Sequence, residues 1–337
     1  RIQEQIARVF VTLGGLGTIA AIVMIFVFLI WVVAPLFMDA SVQKLPTVAL
    51  PAESEAPAVG LIASGVDEGK RFGWTLDTRA RLVVRRLADG TKLRDVRLFD
   101  DVSPTAWSFS PDAPPEEEGV TAATDAAFAF ADGTVRVGQI LIRTEYPKDK
   151  DVPEDLRSLR VGGSDRYEDG IIQVTPEEQF RVDRVDFAFK EPVQLSTTPI
   201  ELLDYSVTSA GRALAFLTAD GTLKISSIEE SRNMFTDTIE QEVYEKPLAY
   251  TQPADRDAPA FLRLSGVANT LYVTWRDGYT LRFDARDEVL AEGKELKVVE
   301  ELDLVPEEGQ AITSLGFLVG KTTLIVGTNV GGLVAWS

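Results

Sequence analysis

One short phrase recurs along this chain, and it constrains the fold more than any other feature. Asp220-Gly221 sits in "TADGTLKI" between two apolar runs. Asp-Gly in that setting signals a tight hairpin, because glycine accepts a positive φ without a Cβ clash. Close variants hold Asp89-Gly90 in "LADGTKL", Asp132-Gly133 in "FADGTVRV", Asp169-Gly170 in "YEDGIIQV", Asp277-Gly278 in "WRDGYTLRF" and Gly331-Gly332 in "NVGGLVAW". The second residues, 90, 133, 170, 221, 278 and 332, are separated by 43, 37, 51, 57 and 54 positions. A four-stranded propeller blade takes roughly 40–50 residues.

The runs around these turns read as strands. "RLVVRRL", "AAFAFADGTVRVGQILI", "ALAFLTADGTLKISSI" and "LYVTWRDGYTLRF" alternate or stay apolar and are bounded by Gly, Asp or Pro. The expected fold is a WD40-like β-propeller of about six or seven four-stranded blades. Each dipeptide is expected to turn between the last two strands of a blade. A β-sandwich, or a pair of small β domains, is the competing architecture. The final blade predicts strands over 312–317, 323–327 and 332–336, with no fourth strand before Ser337. Either an early strand near 58–65 closes that blade, or the natural protein continues. "TDTIEQEVYEK" (236–246) is a candidate for a short helix, and the polar segments 111–119 and 145–158 are candidate insertions.

A second feature lies at the N-terminus. Residues 9–38, between Arg8 and Asp39, contain no charge. A helix of roughly 20 apolar residues crosses a bilayer core, so this stretch is expected to be transmembrane. It is longer than a signal-peptide apolar region, and no A-x-A-like site follows closely. Gly14, Gly15 and Gly17 are candidates for close helix packing, and Trp31 and Phe37 for interfacial anchors. Arg1 and Arg8 favour a cytoplasmic N-terminus. The expected organisation is a cytoplasmic end over 1–8, a transmembrane helix over 9–38, a Pro-rich linker over 39–57 and the β domain over 58–337.

Charge and composition exclude several functions. The 337 residues include no Cys and no His and carry a net charge of −18. A Ser-His-Asp triad, a thiolate metal site and a disulfide framework are therefore ruled out. Arg1, Arg8 and Glu4 give the first 38 residues +1, leaving −19 on the rest. Such a domain repels nucleic acid and anionic lipid at long range, so no nucleic-acid partner is expected. Asp165, Asp169, Asp183 and Asp186 fall in one stretch, but strand and turn alternation is expected to scatter them as solvated carboxylates. The loop "ADRDAP" (254–259) lacks the fixed Gly and Glu of an EF-hand. "GGLG" (14–17) lacks the Lys-Ser/Thr of a phosphate loop. Trp74, Trp107, Trp275 and Trp336 read as blade packing. No catalytic, cofactor or metal residue is expected, and the chain is not expected to be an enzyme.

The stretch "GGLGTIAAIVMIFVFLIWVVAPLFMDASV" (14–42) resembles the first transmembrane helix of phosphate ABC transporter permeases. The likeness is to a long bacterial form, in which a large propeller-like insert follows that helix. Its most specific part is "WVVAPLF" followed by "ASV". The resemblance implies an inner-membrane subunit of a phosphate importer with its propeller in the periplasm. It also implies a second permease subunit, a cytoplasmic ABC ATPase dimer and a periplasmic phosphate-binding protein as partners, besides the lipid bilayer. The later permease helices are absent from these residues, so no transport residue carries over. The alternative is a membrane-anchored propeller scaffold for envelope protein–protein interactions without transport.

Overall fold

The computed structural model describes residues 2–34, 60–100, 102–110, 119–208, 211–232, 239–286, 295–305, 307, 309–318 and 322–336. Phe37, the whole Pro-rich linker (39–57) and residues 111–118 lie outside them. The chain divides into two compact units, Arg1–Thr47 and Val48–Ser337.

The first unit contains a single described helix, α1 (Ile2–Val33). Its segment Gly14–Val33 has a mean hydropathy of 2.9 and is long and apolar enough to cross a membrane. No Pro interrupts it, and Thr18 Oγ1 donates to the Gly14 carbonyl at 3.0 Å, a hydroxyl satisfied within its own helix. Trp31 is exposed, and beside Gly14, Gly15 and Gly17 the helix surface is open.

The second unit is all β, built from five antiparallel sheets in chain order. Sheet 1 is β1 (Leu61–Val66), β2 (Phe72–Asp77), β3 (Arg81–Arg86) and β4 (Lys92–Arg97), paired consecutively. Sheet 2 begins with β5 (Ala106–Ser110), β6 (Val120–Ala129) and β7 (Thr134–Glu145). It is then widened by β8 (Ser164–Tyr167), β9 (Gly170–Val174) and β10 (Phe180–Phe189) in the order β5-β6-β7-β10-β9-β8, with β11 (Val193–Gln194) also on β7. Sheet 3 is the meander β12 (Ile200–Thr208), β13 (Gly211–Thr218), β14 (Leu223–Arg232) and β15 (Ile239–Pro247). Sheet 4 is β16 (Phe261–Leu264), β17 (Thr270–Thr274), β18 (Tyr279–Asp284) and β19 (Val298–Asp303). Sheet 5 has three strands, β20 (Ile312–Phe317), β21 (Leu324–Thr328) and β22 (Leu333–Trp336). Of the helix considered over 236–246, the described residues from Ile239 onward belong instead to β15 and pair along β14.

The arrangement is propeller-like. The first strands of sheets 2 to 5, β5, β12, β16 and β20, pack as successive neighbours. One apolar cluster fills each gap between consecutive sheets. Phe72, Trp74 and Leu82 meet Phe128 and Ile140 between sheets 1 and 2. Val135 and Leu195 meet Ile200 and Phe216 between sheets 2 and 3. Leu217 and Ile225 meet Leu262 and Phe283 between sheets 3 and 4, and Ile312 and Leu315 lie against Phe261 and Tyr272 between sheets 4 and 5. Burying these faces against each other is what holds the sheets in sequence.

Five sheets form where six or seven blades were expected, because the dipeptides do not all occupy one position. Asp132-Gly133, Asp220-Gly221, Asp277-Gly278 and Gly331-Gly332 join the second and third strands of sheets 2 to 5, one step earlier than expected in sheets 3 and 4. Asp89-Gly90 joins the third and fourth strands of sheet 1. Asp169-Gly170 turns β8 into β9, in the extension of sheet 2 rather than in a blade of its own. Nor does the first strand close the last sheet: β1 pairs with β2, and the outer edge of β22 carries no strand among the described residues.

The turns show why the phrase repeats. In four of them a glycine with φ of 79°, 82°, 100° or 81° (Gly133, Gly221, Gly278, Gly331) donates its N–H to the carbonyl three residues earlier. That is a type I turn followed by a left-handed residue. In three of the four an aspartate before the glycine accepts the amide two residues on, as Asp220 Oδ1 does from Thr222 N at 3.1 Å and Asp132 Oδ1 from Thr134 N at 3.0 Å. Hydroxyl bonds from Thr218 and Thr134, followed by these amide bonds, hold the Asp220 and Asp132 carboxyls below the usual range. At Asp169-Gly170 the left-handed residue is Glu168, with φ 52°. Gly170 is required there for another reason: a Cβ would stand 2.5 Å from the Asp183 carbonyl on β10.

Candidate functional site

Strand lengths in sheet 2 leave a cleft. Among the described residues β5 pairs with Asp125–Ala129 of β6 and stops short of its first half. Alongside that overhang lies a cleft of about 290 Å³ shared by the first two sheets. Ala63, Gly65 and Val66 of β1 form one wall, Ala122–Thr124 of β6 the other, and Trp74, Ile140 and Ile142 are among the residues beneath. Gly65 is needed here, since a Cβ would sit 2.6 Å from the Trp74 indole. The lining is apolar apart from the hydroxyls of Ser64 and Thr124. Among the described residues it is lined by no charged side chain, and its chemistry suits an apolar side chain of a docking protein.

Beside the cleft, sheet 1 is fastened to the extension of sheet 2 by charge. Arg71 donates through Nη2 to Asp183 Oδ2 at 2.6 Å and through Nε to Asp67 Oδ2 at 3.0 Å, and its Nη1 bonds Gln173. Asp183 is fully buried and also accepts from Thr144 Oγ1 at 2.5 Å and Arg181 Nε at 3.0 Å. Arg86 reaches Asp165 at 2.8 Å. Arg94 lies 3.6 Å from both Asp169 and Asp186 and stacks over Phe187. The four carboxylates expected to be scattered are thus gathered at one interface. Strands β8 to β10 turn their acidic positions toward the arginines of sheet 1, which no local pattern reveals.

A second polar network joins the inner strands. Asp204 of β12 accepts from Ser108 Oγ of β5 at 2.8 Å and from Leu264 N of β16 at 2.6 Å. Arg263 Nη1 lies 3.3 Å from it, and Arg263 Nε donates to the Leu315 carbonyl of β20 at 2.7 Å. One buried carboxylate therefore links four successive inner strands. Burial raises its pKa against the opposing pull of Arg263 and these hydrogen bonds. Asp125, also fully buried, receives Gln139 Nε2 at 3.1 Å and Tyr205 Oη at 3.4 Å. Sequence reading missed these aspartates; the only signal was an acid inside an apolar strand, as in "ELLDYSV".

Other expected residues fall as follows. Trp74 and Trp275 are buried, Trp107 packs against the first cluster, and Trp336 is 36% exposed on β22. The loop 254–259 holds an ion pair between Arg256 and Asp277, with Arg256 stacked 4.2 Å from the Tyr279 ring centroid. Among the described residues no group of three or more acidic side chains is placed to hold a metal ion.

No protein-family model and no curated protein matches the chain. Among solved structures it is similar to the complex of the fission yeast SREBP-SCAP binding domains, at 11% identity and a TM-score of 0.38. That match covers 83% of this chain and 61% of the other. It is also similar to the WD40 domain of SCAP from fission yeast, at 12% identity and a TM-score of 0.37, covering 79% of this chain and 48% of that one.

Proposed function

We propose that this chain is the anchored docking portion of a phosphate importer's membrane subunit. Helix α1 fixes it in the inner membrane, and the β unit stands in the periplasm to receive protein partners. The observation that carries the reading is the order of parts: a helix apolar over Gly14–Val33, in a sequence stretch (14–42) that resembles the first permease helix, then a Pro-rich stretch, then a propeller-like unit. The apolar cleft between sheets 1 and 2 supports docking rather than catalysis. The acidic balance of the unit argues against capture of phosphate by the unit itself.

The test is purification of the intact complex through this chain in mild detergent, with partners identified by mass spectrometry. Recovery of an ABC-type ATPase with a second membrane subunit supports the reading, and uptake of labelled phosphate then follows. Recovery of envelope assembly proteins without an ATPase overturns it in favour of an anchored scaffold.

A further inference from the structure

The two walls of the apolar cleft come from different sheets, and one of them is poorly held by its own packing. β1 pairs with β2 alone, and no strand lies on its other side among the described residues. None of the six residues of β1 is buried, whereas Phe72, Trp74 and Leu76 of β2 are. Apolar burial therefore fixes β2 and leaves the β1 wall to its ladder and to the turn that follows it. Asp67 organises that turn. Its carboxylate accepts from Arg71 N at 2.6 Å, Phe72 N at 2.9 Å and Gly69 N at 3.1 Å. Arg71 Nε donates to the same carboxylate at 3.0 Å, while Nη1 and Nη2 leave the turn for Gln173 and Asp183. Asp183 is where the turn meets the other wall. On β10 it stands across from Thr144 of β7 and accepts from Thr144 Oγ1 at 2.5 Å. Ile142 lies two residues earlier on β7, hence on the same face, and stands across from Ala122 of β6. Ile142 and Ala122 both line the cleft. One carboxylate thus joins, through Arg71, the turn that ends the β1 wall and, through Thr144, the strand beneath the β6 wall.

We propose that the Arg71–Asp183 pair is a latch that holds the β1 wall at a fixed distance from the β6 wall and so keeps the cleft preformed for an apolar side chain; the inference rests on the reading of the cleft as a docking site. Asp183 is a positioning residue, since it does not itself line the cleft. The pair is suited to the task by its burial. The side chains of Arg71 and Asp183 are 13% and 0% exposed, whereas those of the outer seam pair, Arg86 and Asp165, are 22% and 50% exposed and belong to neither wall. An exposed ion pair holds its partners loosely and contributes little. A desolvated one whose carboxylate oxygens all have donors is confined to a single geometry, because any departure leaves a charge unpaired away from water. A preformed cleft binds without the cost of ordering its wall, so the latch acts on affinity as well as on shape.

Amide hydrogen exchange on the full chain in detergent, read by mass spectrometry, tests the latch. Arg71→Met removes it while leaving Asp183 its bonds from Thr144 and Arg181, so the variant keeps a paired carboxylate. Amides of β1 and of the turn up to β2 should then exchange about tenfold faster, with sheets 3 and 4 unchanged. Asp183→Asn should act on the same amides, and Asp165→Asn, which weakens only the outer pair, should leave them as they are. Where Asp183→Asn fails to fold, Arg71→Met decides alone. Unchanged exchange over β1 and its turn in Arg71→Met overturns the proposal. So does a rise spread evenly over all five sheets, which marks a loss of global stability and no local latch. The neutral probe 3-methylindole, followed by ligand-observed NMR, reads the cleft separately, and its binding should weaken severalfold in Arg71→Met. Probe binding with unchanged exchange sinks the latch alone, whereas no probe binding to the native chain sinks the docking reading of the cleft and this inference with it.

Discussion

Sheets 1 and 4 have the same strand order and nearly the same strand lengths, yet they are held in place by different means. Sheet 4 is secured mainly by apolar burial. Leu262, Val273 and Phe283 pack toward sheet 3, and Phe261 and Tyr272 toward sheet 5. Sheet 1 adds a charged seam in which Arg71, Arg86 and Arg94 meet the acids of β8 to β10. Their second-to-third-strand turns differ as well. Sheet 4 uses Asp277-Gly278 with Gly278 at φ 100°, whereas sheet 1 places Ala80 at φ 55°. A shared meander thus tolerates different turn chemistry and different fastenings, provided one face of each sheet is buried.

The contrast breaks most sharply at the buried seam. Asp183→Ala should destabilise the β unit by about 3–5 kcal/mol, because Arg71 and Arg181 lose a partner in a site closed to water. Denaturant unfolding measures this, and a loss below about 1 kcal/mol would show that the seam is not what fastens sheet 1. Next in size is the turn of sheet 4. Gly278→Ala should cost about 2–3 kcal/mol, since a Cβ there combines a left-handed φ with a collision against Val305 and Asp303. The counterpart Ala80→Gly should change stability by less than about 1 kcal/mol. Relief at φ 55° is offset by a lost buried methyl and a more flexible unfolded chain.

A smaller effect is expected at Asp277. Asp277→Ala removes the bond to the Tyr279 amide at 3.2 Å and the ion pair with Arg256, for a loss of about 1 kcal/mol seen as a lower Tm. The smallest concerns pH and sheet 1. Hydrogen bonds and charge from Arg81 and Lys92 hold the Asp95 carboxyl down to about 2, against the opposing effect of burial. A lowered carboxyl pKa contributes stability that is present above about pH 4 and is lost as pH falls toward 2. Screening keeps this below about 1 kcal/mol. An NMR titration of Asp95 with a midpoint near 4 would remove the ion pairs from the account, and Asp95→Asn should flatten the acid limb of the stability curve.

Turn chemistry and hydrophobic period are local, so the sequence alone determined the β class, the helix and the sites of the repeated hairpins. A glycine at positive φ and an aspartate bound to the amide two residues on need only a few consecutive residues. Strands 312–317, 324–328 and 333–336 lie within a residue of where alternation put them. The sequence could not tell a hairpin at the edge of one sheet from the start of another, since Asp169-Gly170 and Asp220-Gly221 read alike. Only the tertiary structure decided that β8 to β10 widen sheet 2, that β1 opens sheet 1 rather than closing sheet 5, and that Asp183 and Asp204 are buried. Those outcomes rest on contacts between residues about 60 to 110 positions apart, such as Arg71 with Asp183 and Asp204 with Leu264. Their energies come from desolvation and pairing across sheets, which no local spacing encodes.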